Sequence, residues 1–328
     1  MKKAGSLPRR RICAMLVLLL LLVSLLPACA GSGPSAGDYK IEDNPGDNRT
    51  TYPYLVHTPS ATWYLAADDI ALLGEDAFFE GLAAILKNQE QDFADARSAL
   101  AGYISEEIPI IDIYTDFCGN AAISEMASAY YSESSNLIKV FSGWDSVGAT
   151  LLHEYIHYLT LHCAPQPATH GFYAEAAANY FSMIACKSRM AQSVNYGLPE
   201  DQLEIVKAGG AWDEAEGCLD MEKLYFGTAH AFAQGWSVGA EFFSVSDIME
   251  LRTEELQQDP SVYHVSHFEA ACILAYLIET YSLETVMENL DTDPADMESV
   301  FGESFSQIYQ DWAVWNAARC EELGLVFG

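Results

Sequence analysis

Positive charge is scarce in this chain. Its 328 residues include 16 lysines and arginines against 47 aspartates and glutamates, a formal net charge of −31. A surface of that sign repels a phosphate backbone, so nucleic acid is not an expected partner. Closely spaced cysteines are missing too. Cys118, Cys163, Cys186, Cys218, Cys272 and Cys320 form no C-x-x-C pair, which argues against a cysteine-based metal site. The chain has no G-x-x-x-x-G-K-[ST] and no G-x-G-x-x-G after a strand. That removes the signals for a phosphate loop and a dinucleotide fold. There is no internal repeat, and no apolar run beyond the first 30 residues is long enough to cross a bilayer.

The first 28 residues have the layout of a secretory signal peptide: bases at Lys2, Lys3, Arg9, Arg10 and Arg11, then an apolar run from Ile12 to Leu26. The end, "LPACA", resembles a bacterial lipobox, with Pro27 as a departure from that pattern. The resemblance implies a lipidated Cys29 and a lipoprotein on the outer face of the cytoplasmic membrane. Residues 29–51 are rich in Gly, Ser, Pro, Asp and Asn and are expected as a flexible tether. Residues 52–328 keep one composition and can bury a large core. In an exported chain the six later cysteines permit three disulfides, while apolar surroundings such as those of Cys272 suit buried thiols equally.

Strands are expected at 61–69, 108–116 and 136–142, and helices at 71–100, 121–129 and 144–162. After that the pattern is helical, near 169–190, 199–208, 221–235, 245–257, 262–281, 283–290 and 305–323. The reading is therefore α+β: a small α/β half over 52–165 and a helical half over 166–328.

"LLHEYIHYLT", Leu151 to Thr160, carries His153, Glu154 and His157. On a helix the two histidines are rotated by only about 40°, so their rings can converge on one cation, whereas Glu154 points about 100° away and can stand beside it. The same helix would make a good core face without any metal. Downstream, "HGFYAEAAANYFSM" places Glu175 in an otherwise apolar helix, with 17 residues between it and His157. An acid there is costly if buried unpaired, and a metal charge removes the objection.

Together these motifs resemble the gluzincin metallopeptidases, the zincin-fold group that contains thermolysin and the aminopeptidase N family. That group takes two ligands from HExxH and a third from a glutamate on the following helix, often in W-L-x-E-G-x-A-x-Y. Phe172, Tyr173, Glu175, Ala178 and Tyr180 fill five of those places, and Ala176 replaces the glycine. The resemblance implies Zn2+ held by His153, His157 and Glu175, with Glu154 as general base. It implies Asn179 behind a zinc histidine, in the place where thermolysin has an acid. It also implies a peptide or protein substrate that pairs with the strand "NLIKVFS" as the sheet edge. A later stretch, "YHVSHFEAACILAYLIETY", puts His267 where a related branch has the tyrosine that stabilises the oxyanion, with Tyr263 and His264 as rivals. The aminopeptidase motif G-x-M-E-N is not found, which disfavours an aminopeptidase and leaves an endopeptidase, the preferred activity, or another hydrolase. The rival from another class is a binding or scaffold lipoprotein that keeps the peptidase fold without turnover.

Radiolabelled palmitate supplied to expressing bacteria is expected to label the protein, and Cys29→Ala is expected to abolish the label. An unlabelled wild-type protein contradicts lipidation.

Overall fold

The computed structural model describes residues 35–117, 129–141, 147–169, 171–185, 210–213, 218–233 and 260–325. The signal segment with Cys29, and the helices expected at 121–129, 199–208 and 245–257, lie outside the described residues, apart from Ala129.

The described residues open with strands β1 (Ser35–Ala36), β2 (Tyr39–Asp43), β3 (Tyr54–His57) and β4 (Ala61–Leu65), joined as successive antiparallel neighbours. Helices α1 (Ala67–Leu73) and α2 (Glu75–Ala99) lead to β5 (Ile111–Thr115), which pairs parallel with β4. Strands β6 (Ala129–Ser132) and β7 (Leu137–Val140) complete a seven-stranded sheet of order β1-β2-β3-β4-β5-β7-β6. β7 runs parallel to β5, and β6 runs antiparallel to β7. Three of these strands match the sequence expectation, and the fold is α+β.

Three expectations change. The segment 29–51 is not all tether, because from Ser35 it is paired into the sheet. Ala36 and Ile41 are buried, although the Gly- and Asp-rich composition around them hid a short alternating pattern. The helix expected over 71–100 breaks at Gly74, whose φ of 81° a helix cannot hold, so α1 and α2 are separate. The strand "NLIKVFS" is interior, since β6 covers its outer side and is itself the sheet edge.

One face of the sheet is apolar by strict alternation. Trp63 and Leu65 of β4, Ile111 and Ile113 of β5, and Ile138 and Val140 of β7 are buried. They share one core with Phe78, Leu82, Leu86 and Phe93 of α2 and with Leu151, Leu152 and Tyr155 of helix α3 (Val147–His157). Each such side chain contributes about 1.5–3 kcal/mol of transfer free energy. A single π turn, Tyr158–His162, extends α3.

The second half is helical: α4 (Gly171–Ala185), α5 (Met221–Ala233), α6 (Pro260–Tyr281), α7 (Leu283–Met287), α8 (Met297–Phe301) and α9 (Phe305–Glu322). A two-residue ribbon, β8 (Trp212–Asp213) with β9 (Cys218–Leu219), precedes α5. α6 is its axis and packs against α4, α5 and α9, while α3 packs against α4 and joins the halves. Cys163, Cys272 and Cys320 are buried free thiols. No described helix is long and apolar enough to cross a membrane.

Glu269, on α6, is fully buried and accepts a 2.5 Å hydrogen bond from the Tyr309 hydroxyl of α9. Burial pushes its carboxyl from 4.5 up to about 8. The folded side chain therefore stays neutral where the unfolded one ionises, so its contribution erodes as pH rises from about 4.5 and levels near 8. Glu269→Gln keeps an acceptor for Tyr309 and removes the ionisation. Its melting temperature is expected to gain on the wild type progressively across that window; a pH-independent difference contradicts this.

Candidate metal centre

The centre is built where α3, α4 and α6 meet. α3 carries His153 and His157 one turn apart. The chain then reverses through the π turn and a segment with Pro165 and Pro167, which cannot continue a helix. Backbone bonds fix that reversal: Ser105 N donates to Cys163 O at 2.8 Å and Ala168 N to Thr160 O at 3.1 Å. α4 returns across α3 and presents Glu175.

His153 Nε2 and His157 Nε2 stand 3.0 Å apart. Glu175 Oε2 is 3.3 Å from the first and 3.6 Å from the second. The three donor atoms all lie within 4.8 Å of one another, so the trio can hold a metal ion. Glu175 Oε2 is shut off from solvent, although 26% of the side chain is exposed, and it makes no hydrogen bond among the described residues despite the imidazole nitrogens around it. Donors crowded together in this way, without bonding geometry at the carboxylate oxygen, satisfy the requirement for ligands aimed at a shared point.

The electrostatics ask for positive charge. Burial raises the Glu175 carboxyl, but the charges of His157 and His267 and the close approach of His153 outweigh it and hold the group well below its ordinary value. Burial lowers the His157 imidazolium, and the Glu175 carboxylate outweighs it in turn, so the ring holds a proton above its usual pKa.

Glu154 is 8% exposed and stands beside the trio, outside it. Its Oε2 accepts a 2.7 Å hydrogen bond from the backbone N–H of Tyr131, on the edge strand β6. His267 arrives from α6, with Nε2 3.1 Å from Glu175 Oε2 and its ring centroid 6.3 Å from that of His153. The structure therefore brings His153, Glu154, His157, Glu175 and His267 into one neighbourhood. The side chains of Tyr263 and His264 lie outside the described residues.

Asn179 is a correction. It does not back a histidine: its Nδ2 donates to Glu175 O of its own helix at 2.8 Å, and its Oδ1 accepts from the Tyr225 hydroxyl of α5 at 3.2 Å. The reason is geometric, because those partners turn the amide towards α5. His157 Nδ1 is buried with no hydrogen-bond partner among the described residues.

Sequence reasoning missed the support behind the centre. Arg97 Nη1, from α2, donates to Tyr155 Oη at 2.8 Å and to Ser60 Oγ at 2.6 Å, and Ser60 Oγ donates to Glu90 Oε2 at 2.7 Å. Phe93 stacks on Tyr155 at 3.9 Å. These contacts fix the back of α3 beside Glu154, and no local pattern signals them. A cavity of about 440 Å³ lies elsewhere, between α4, α5, α6 and α9, lined by Tyr180, Met183, Phe226, Trp315 and Arg319 among others. It contains none of the centre's residues.

No family model, no curated protein and no solved structure matches this chain.

Calorimetric titration of the metal-free chain with Co2+ is expected to show one ion bound, with His157→Ala and Glu175→Gln each weakening binding by at least tenfold. Unchanged affinity in both variants contradicts the trio.

Proposed function

We propose that the chain is a membrane-anchored, extracytoplasmic zinc-dependent metallopeptidase of gluzincin type, acting as an endopeptidase on peptide or protein substrates. The observation that carries this reading is the convergence of His153, His157 and Glu175, with Glu154 alongside. Zinc suits two imidazoles and a carboxylate, and it keeps an open position when three protein groups bind it. Ligands at 2.0–2.1 Å from a tetrahedral zinc stand roughly 3.3–3.4 Å from one another. The separations of 3.0, 3.3 and 3.6 Å are close to those edges. A zincin-like arrangement accords with the mixed sheet, the histidine helix and the helical half that follows.

When bound, zinc polarises the scissile carbonyl and makes water more acidic. Glu154 takes a proton from the attacking water on its carboxylate and delivers it to the leaving nitrogen. His267, with a proton on Nε2, donates to the oxygen that gains charge as the carbonyl carbon becomes tetrahedral. An extended substrate pairs with the open edge of β6 by strand addition. The lipobox-like Cys29 supplies the membrane tether.

A mixed library of quenched fluorescent peptides tests the reading. The zinc-loaded chain is expected to cleave members of it, and Glu154→Gln is expected to lower turnover by about 10²–10⁴-fold with zinc content unchanged. A chain that holds zinc and cleaves nothing favours a binding or scaffold lipoprotein instead.

A further inference from the structure

We infer that the backbone N–H of Tyr131 is a positioning group for Glu154, fastening the general base to the sheet edge on which substrate lies. The inference rests on the peptidase reading above. The bond is short, 2.7 Å, and its acceptor is a carboxylate that is 8% exposed. A charge-assisted bond of this kind is roughly twice as strong as a neutral one and fixes its acceptor's direction.

Strand geometry explains why this N–H is available. Among the described residues β6 lies at the end of the sheet and pairs only with β7, with Tyr131 opposite Ile138. In an antiparallel pair, successive residues turn their N–H and C=O groups alternately towards and away from the partner strand. An N–H that reaches Glu154 on α3 is therefore one turned away from β7. On an open edge such a group would otherwise bond to water or to an added strand.

Two consequences follow. With Oε2 held by the strand, Oε1 is the oxygen that exchanges protons with the reactants. An extended substrate also cannot use the Tyr131 N–H, so its bonds to β6 must be made at other outward-facing groups. The base and the docking strand thus keep one spacing, and a displacement of about 1 Å in such an arrangement costs on the order of 10² in rate.

The test compares Tyr131→Pro with Tyr131→Ala. Both remove the phenol ring, and only proline removes the N–H. Proline is tolerated on an edge strand where its nitrogen faces away from the ladder. In zinc-loaded full-length protein assayed on one cleaved library peptide, the proline variant is expected to lose about 10- to 100-fold in kcat relative to the alanine variant. KM and zinc content are expected to stay within twofold. Equal kcat in the two variants overturns the inference.

Amide hydrogen exchange in the metal-free chain provides an arm without turnover, and it decides if the proline variant does not fold. The Tyr131 amide is expected to be protected in wild type and to exchange at least tenfold faster in Glu154→Ala. Exchange at the same rate in both also overturns the inference. A wild-type chain that takes up no zinc or cleaves no peptide removes the peptidase reading itself, and this shows before any Tyr131 variant is made.

Discussion

A single carboxylate oxygen organises this molecule. Glu175 Oε2 is sealed from solvent, makes no hydrogen bond among the described residues, and has imidazoles of His153, His157 and His267 within 3.6 Å. A buried charge without a counter-charge is costly, and removing one partner of such a set leaves the others stranded. The neighbourhood therefore calls for positive charge, and the raised His157 and depressed Glu175 titrations reflect the pairing of those two groups. The rest of the fold is arranged so that three helices can meet this demand at one place.

That arrangement divides the labour. The sheet and α2 make a rigid bed for α3, through Trp63, Phe93 and Tyr155 and through the Arg97 bonds to Ser60 and Tyr155. The helical half supplies Glu175 on α4 and His267 on α6, and α6 packs along α4. The edge strand contributes an amide to Glu154. The groups near the centre are thus carried by α3, α4, α6 and β6, and such regular elements hold side chains more precisely than loops do.

Much of this was legible in the sequence, for identifiable reasons. The i, i+4 spacing of His153 and His157 and the lone acid in an apolar helix at Glu175 are local signals, and the structure brings those three together. His267 sits beside them as well, although its helix lies far away in sequence. What failed depended on non-local partners. Strand β6 has only four residues, and its role as the edge appears only once β7 is placed inside the sheet. Strands β1 and β2 were hidden by Gly- and Asp-rich flanks. Asn179 occupied a plausible position on the helix, but Tyr225 of α5 and the helix backbone determine where its amide points. An amide such as that of Tyr131 has no sequence signature, because every residue other than proline carries one.

X-ray absorption at the zinc edge of the purified chain addresses the central claim most directly. The account predicts four light scatterers at about 2.0–2.1 Å, with the outer-shell pattern of two imidazoles and no sulfur. A zinc shell that contains sulfur or lacks the imidazole pattern, or a folded protein that takes up no zinc, would contradict it.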